Sequence, residues 1–378
     1  MAKKKKEKKK ISSRFVLFFA ILIFVLAIVI FSNKIGGGSF LRIFYLIGDG
    51  ITGTADEATI KFDSNNANRF HPVNGGFAVL SIDGLHIYAL SGEEKNFTPL
   101  NYHSPTLSGG KSSLVAYDRN GQEYTVIDGD EVISSEKCAA PIINISMNEE
   151  GAYSVVTAGP DCKALVTAYD EDAEKLYALH SSEQYILSAP ISEDNDYMAT
   201  LGYTASSGSF CGKISFYDLD EEGAISATEL PDCMPISARF LKNDDLMVIC
   251  ENKMLRFDRG GELVDEIPFD GMSLVGASLE SRELASILLD NNSRDGTRLI
   301  VSEDPEKELV FNFSESIFDI SSAGDYTALL LPDRVVVYDS DGEEHHTFRL
   351  TQAVKECIMR RDGTVFVVGR NFANLLIP

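Results

Sequence analysis

The sequence predicts an all-β protein carried behind one N-terminal apolar helix, and three observations support this. From Ala58 onward no segment keeps a helical period for more than a turn or two. The same region is a succession of short runs rich in Val, Ile, Tyr, Phe and Thr, among them 77–82, 299–301, 327–331 and 364–368, each broken by Gly, Asp or Asn. Ahead of it, Phe15 to Phe31 is a run of seventeen residues without a polar side chain.

That run comes first in chain order. At about 1.5 Å per residue it spans roughly 25 Å as a helix, and Ser12, Ser13 and Ser32 can lengthen it. Seven Lys and Arg14 precede it, against only Lys34 and Arg42 close behind. The positive-inside rule therefore places residues 1–14 in the cytoplasm and sends the chain outward across the plasma membrane. A cleaved signal peptide would have a shorter apolar core and a small-x-small site, whereas this run ends in Ile-Phe-Ser-Asn-Lys. The expected organisation is a basic tip at 1–14, a transmembrane signal anchor at 15–32, a juxtamembrane linker at 33–57 and an extracytoplasmic domain at 58–378. In the linker, Gly36 to Gly38 make a hinge, and 40–47 is an apolar strap or interfacial helix.

Two phrases recur through the outer domain. One is an Ile-Ser pair, an acidic or Gly turn, and a Tyr that opens an apolar strand: Ile145-Ser146 with Tyr153, Ile191-Ser192 with Tyr197, and Ile320-Ser321 with Tyr326. The serines are 46 and then 129 residues apart, and 129 is three intervals of 43. The other closes a strand with an aromatic-Asp pair, at Tyr169-Asp170, Tyr217-Asp218, Phe257-Asp258 and Tyr338-Asp339, spaced 48, 40 and 81. A four-stranded unit of about forty residues repeated radially is the blade of a β-propeller. Boundaries fall near 68–102, 104–139, 140–183, 185–233, 234–271, 272–315 and 316–350. The tail from 353 to 378 offers three strands, and 58–62 can supply the fourth, closing the ring and hiding two sheet edges. This gives a single propeller of eight four-stranded blades, or seven if the first unit is an elaboration.

On this architecture and on the Ile-Ser…Tyr and Tyr-Asp phrases, the chain resembles the single-pass, membrane-anchored propellers of unknown function from Gram-positive anaerobes, within the WD40-like and quinoprotein-like group. The resemblance covers 58–378 and the anchor. The chain has no Trp, so it lacks both the Trp-Asp repeat of WD40 blades and the Trp docking motif of quinoprotein dehydrogenases. A pyrroloquinoline quinone site is not expected.

Charge narrows the partners. The chain carries a net −23; the tip holds seven Lys and one Arg against one Glu, which leaves −30 on the remainder. Such a body repels phosphates, so no nucleic-acid partner is expected.

Candidate chemistry is sparse. An outward domain lies in a space where disulfides persist. Propeller geometry allows Cys138 to approach Cys162 and Cys211 to approach Cys233, each bridge worth about 3 kcal/mol; Cys250 and Cys357 read as buried strand residues. Asp218, Asp220, Glu222 and Glu229 nearly match a calcium-loop spacing, with Gly223 at the turn. An acidic hairpin after the aromatic-Asp pair is also simply what the repeat contains, as at Asp170-Glu-Asp172, Asp258-Arg-Gly260 and Asp339-Ser-Asp341. Ser108-Gly-Gly-Lys111-Ser112 lacks the first glycine of a phosphate loop. Glu343 to His346 alternate faces on a strand and cannot converge on a metal. Turns at 293–297 and 361–364 miss the spacing of a sialidase Asp box.

No catalytic residue and no cofactor beyond that calcium are therefore expected. The expected function is a non-enzymatic, membrane-tethered module that binds or scaffolds an envelope protein, peptide or glycan through its loops. The rival is an extracellular glycoside hydrolase or lyase, which requires paired carboxylates in a central pocket, one with a raised pKa.

Overall fold

The computed structural model describes residues 59–206, 209–231, 233–290, 296–302 and 308–378. The basic tip, the apolar run and the linker lie outside these residues. Among the described residues no helix is long and apolar enough to cross a membrane.

Eight four-stranded antiparallel sheets follow one another along the chain. The innermost strands of blades one to seven are Arg69–Val73, Pro105–Gly109, Ile142–Met147, Tyr185–Ser188, Pro235–Phe240, Ser273–Ser278 and Asp319–Ala323. Each blade ends at its outermost strand: Glu94–Pro99, Glu131–Lys137, Lys175–Ser181, Ala224–Leu230, Leu263–Pro268, Glu308–Phe313 and Glu344–Arg349. The eighth blade is composite. Glu356–Met359, Val365–Val368 and Phe372–Leu376 come from the end of the chain, and Thr59–Lys61 completes the sheet from the other end. Thr59, Ile60 and Lys61 stand opposite Asn374, Ala373 and Phe372. The ring closes as the sequence predicts, and Arg69–Pro99 is a complete blade, so the seven-blade alternative does not hold.

The core lies between neighbouring sheets. The middle strands of each blade bury both faces, as in Gly76–Leu80, Tyr153–Thr157 and Leu246–Cys250. They therefore read as continuous apolar runs, while the outermost strands alternate. Phe216 and Phe257 meet between blades four and five, and Phe77 meets Phe366 at 4.2 Å between blades one and eight.

Both recurring phrases now have causes. Ile145 and Ile320 are buried between blades, while the serine beside each reaches the next blade. Ser146 Oγ lies 3.0 Å from Ser188 Oγ, and Ser321 Oγ accepts the Met359 N–H at 2.9 Å. In the second phrase a β-bulge precedes each aromatic residue. The aspartate then caps the hairpin: Asp170 Oδ1 accepts from Asp172 and Glu174 N–H, and Asp339 Oδ1 from Asp341 and Glu343. Such side-chain to backbone bonds fix tight turns.

Ile60 is fully buried in a strand of three residues, so closure is concentrated there. Ile60→Ala is expected to lower unfolding free energy by about 2–4 kcal/mol in a urea titration of the full chain, with an unchanged slope.

Candidate functional site

Each innermost strand starts at one face of the ring, here called the mouth, and runs to the opposite face, the base, where a turn leads into the second strand. Together they wall a central channel. Its mouth side holds a cavity of about 710 Å³ and its base side one of about 370 Å³.

Charged side chains close the base. Glu149, in the turn after Ile142–Met147, is only 5% exposed and faces three cations from other blades. Lys111 Nζ of blade two lies 3.7 Å from it and Arg239 Nη2 of blade five 3.4 Å, while Arg361 of blade eight is hydrogen-bonded to it. Blades three, five and eight are not neighbours, so these pairs cross the channel axis. Glu193 of blade four accepts the Glu149 N–H at 3.0 Å and pairs with Arg239 at 3.5 Å; Arg361 continues to Glu283 of blade six at 3.3 Å. Burial raises the Glu193 carboxyl pKa, against the opposing pull of Arg239. His71 Nε2 sits 3.0 Å from Gly110 O, and burial holds its pKa below the ordinary value.

Nearer the mouth, one wall is acidic. Asp319 and Glu356 occupy the innermost strands of blades seven and eight and line the mouth cavity, while Glu280, in the base turn after the innermost strand of blade six, lines both cavities, so the acidic wall runs from the mouth toward the base. Burial pushes the Asp319 carboxyl up to about 6, although Cys357 N–H donates to its Oδ2 at 2.8 Å. Burial also raises Glu356, with Asp319 adding to the effect. Arg119 stands on the opposite wall, beside Tyr117, whose hydroxyl donates to Asn144 at 2.9 Å.

The rim of the mouth is apolar for a structural reason. The innermost strands of blades three to six each carry a bulge at the equivalent place, between Ile142/Asn144, Ile186/Ser188, Pro235/Ser237 and Leu274/Gly276. The residue left out of the ladder is apolar every time: Ile143, Leu187, Ile236 and Val275. A bulge re-aims its extra side chain. Leu187, Ile236 and Val275 are 38%, 56% and 55% exposed, and Phe318 of blade seven continues the arc at 61%. Blades four to seven thus offer an exposed apolar crescent, flanked by the half-buried Ile143 of blade three, a patch of the kind that marks interaction sites.

The residues singled out from sequence lie elsewhere. All six cysteines are free, so the expected Cys138–Cys162 and Cys211–Cys233 bridges are not formed. Cys138 packs with the cluster between blades two and three, and Cys162 Sγ donates to Ala164 O at 3.3 Å. Cys211 Sγ turns to Gly212 O at 3.4 Å, while Cys233 turns inward and packs in the same core cluster as the free Cys250 between blades four and five. Asp218, Asp220, Glu222 and Glu229 do not fit a calcium site. Asp218 Oδ1 accepts the Asp220 N–H, Glu229 stands opposite Lys213 on the outer strand, and no group of three potential ligands occurs among the described residues. Lys111, noted in a failed phosphate-loop pattern, belongs to the base lock. Arg361 lies in a turn noted as an Asp-box mismatch; Asp362 Oδ1 there accepts from Thr364 N–H at 3.1 Å. The crescent and the acidic wall were missed. Bulges show only in strand register, and the wall draws single residues from three blades.

Fold and channel define the class: a WD40-like, eight-bladed β-propeller. Among solved structures the chain is similar to the C-terminal WD40 domain of Sif2, at a TM-score of 0.59 and 12% identity, covering 84% of this chain and 97% of that one. It is also similar to the dihydro-heme d1 dehydrogenase NirN in complex with DHE, at a TM-score of 0.51 and 14% identity, covering 75% of this chain and 65% of that one. At these identities the likeness is one of fold. In sequence, residues 52–373 match a family of unknown function, DUF5711, and the chain belongs to it. No curated protein matches it in sequence.

Two measurements probe the channel. Glu149→Gln leaves three cations facing a neutral group, and is expected to cost roughly 1–3 kcal/mol by chemical denaturation; Lys111 and Arg361 reach solvent, which keeps the cost below that at a fully buried pair. Asp319 has a folded-state pKa above its unfolded value, so the native state binds the extra proton between about pH 6 and pH 4. Stability from this group therefore rises as pH falls through that window, by at most about 3 kcal/mol. Asp319→Asn should remove the gain, read as the difference in melting temperature between the two proteins at pH 7 and pH 4.5.

Proposed function

We propose that the protein is a non-enzymatic docking module, tethered to the plasma membrane by Phe15–Phe31 and presenting its propeller outside the cell to an envelope partner. The observation that carries this reading is the crescent of bulged apolar residues at the channel mouth. Four blades use the same backbone irregularity, and three of them, four to six, place its aliphatic side chain in solvent while Ile143 of blade three stays half-buried, at a cost in sheet hydrogen bonding. A surface maintained at such a cost suits a partner. The propeller fold, common among interaction scaffolds, supports the same reading, and the apolar run with its flanking lysines supports the tether.

A glycoside hydrolase or lyase is the second reading, favoured by Asp319 and Glu356, both carboxyls raised by burial inside the cavity. Their placement argues against it. They stand side by side on neighbouring strands of one wall, whereas glycoside cleavage needs carboxyls flanking the scissile bond. Asp319 is also engaged in joining its blade to the next through the Cys357 N–H.

A photo-crosslinking residue at position 236 or 275, introduced in cells, is expected to trap a discrete envelope partner, and one at Val310 on the outer face of blade six is not. Equal trapping at all three positions would defeat the docking reading, and Glu356-dependent cleavage of a cell-wall glycan would install the enzyme in its place. The anchor is tested separately: the chain should stay in carbonate-washed membranes, and protease added to intact cells should digest the propeller.

A further inference from the structure

Resting on the docking reading, we infer that the partner at the mouth is an extended polypeptide segment in which apolar residues alternate with Lys or Arg. The crescent receives the apolar side chains, and the wall of Glu280, Asp319 and Glu356 receives a cation. Four features of the mouth select this chemistry over its competitors.

Charge is the first. The charged residues lining the mouth cavity are Glu193, Glu280, Asp319 and Glu356 against Arg119 and Arg239. Arg239 is committed to Glu149 and Glu193 at the base, and Arg119 lies on the far wall. The blade six to eight side is therefore an acidic wall running from Asp319 and Glu356 to Glu280 in the base turn, and burial already disfavours the charged forms of Asp319 and Glu356 there. An ammonium or guanidinium group entering the cavity relieves that penalty. The second feature excludes a second copy of the chain, because a body of net −30 meets its own repulsion face to face.

The third concerns sugars. Ile143, Leu187, Ile236 and Val275 are aliphatic and offer no hydrogen-bonding side chain, so a glycan laid across them would lose the hydration of its hydroxyls without replacement. The fourth selects an extended chain. In blade four the second and third strands, Tyr197–Ser206 and Ser209–Asp218, run past their neighbours at the mouth. The first strand pairs only as far as Tyr203 and the fourth only as far as Gly212, yet Thr204 still pairs with Cys211 and Ala205 with Phe210. Among the described residues this leaves a two-stranded ribbon with no strand paired on either side. Tyr185 stacks on Tyr203 at 5.1 Å and Tyr203 meets Phe210 edge-on at 5.4 Å, so its root is braced. Its edges can add an extended strand, and Phe210, 66% exposed, stands ready as an anchor.

The test is fluorescence anisotropy with the full chain in neutral-lipid nanodiscs, empty discs serving as control. Three labelled octapeptides are compared, alternating Ile with Lys, with Ser or with Glu. The Lys peptide is expected to bind at least about tenfold more tightly than the Ser peptide, the Glu peptide not at all, and the preference should shrink as salt is raised. Glu280→Gln with Glu356→Gln should weaken the Lys peptide at least about fivefold and leave the Ser peptide unchanged. Ile236→Ser with Val275→Ser, at exposed positions where folding is not at stake, should weaken both. Binding indifferent to peptide charge, or untouched by the carboxamide pair, overturns the inference. If instead a cell-wall glycan fragment binds and depends on Ile236 and Val275, the docking reading stands and the polypeptide inference falls. If no probe depends on those two residues and crosslinks at 236 and 275 are also absent, both fall.

Discussion

Ring closure through Thr59–Lys61 is the constraint on which the other features rest. A propeller blade packs its faces against the blade before and the blade after, so an open ring would expose an apolar face at each end. Pairing Ile60 with Ala373 makes the last blade from both ends of the domain, and Phe77 against Phe366 then seals the seam. Only when the circle is complete do the eight innermost strands share one axis. The charge lock at the base, the acidic wall and the crescent all depend on that shared axis, because each draws its residues from several blades.

The two ends of the channel answer different needs. At the base, Glu149 is held by Lys111, Arg239 and Arg361, and the turns are tied by backbone bonds such as Lys111 N–H to Glu149 O. Glu149 is the buried member of this cluster, so withdrawing its cations would leave its carboxylate in a desolvated place. At the mouth the reverse holds. Bulges free the strands of blades three to six from full pairing and, in blades four to six, push aliphatic groups outward.

Much of the fold was legible in the sequence because repetition is visible along one dimension. The Ile-Ser…Tyr and aromatic-Asp phrases mark, respectively, the crossing from first to second strand and the hairpin after the third. Their physical roles are an inter-blade contact, at Ser146 and Ser321, and an Asx-capped turn, while Ser192 instead braces its own turn by accepting the Tyr197 N–H. The site was not legible for the complementary reason. Asp319, Glu356 and Glu280 acquire meaning only by meeting across blades, and nothing in their local sequence distinguishes them from the acidic surface of a chain of net −23. The bulged residues are harder still: Ile236 and Val275 read as ordinary strand residues until register shows that each is left over. The calcium spacing misled through the same local grammar, since Asp218 is one more capped hairpin. The cysteine pairings failed because sharing a face of the ring does not set the direction of a side chain.

The acidic wall also bears on binding against catalysis. Raised carboxyls in a cavity commonly signal chemistry, because a catalytic acid must hold its proton near neutral pH. Here the same shift follows from position alone. Asp319 and Glu356 face a partly desolvated channel from adjacent strands, so each is penalised by burial and Glu356 further by its neighbour. Asp319 spends one oxygen on the Cys357 N–H, a bond between blades. A carboxyl that joins two blades cannot swing to a substrate and back without loosening the ring, whereas it can receive a cation in place. The wall is thus better suited to hold charge than to transfer protons, and a bound cation would strengthen the contact between blades seven and eight where no other carboxylate-to-backbone bond joins their described strands.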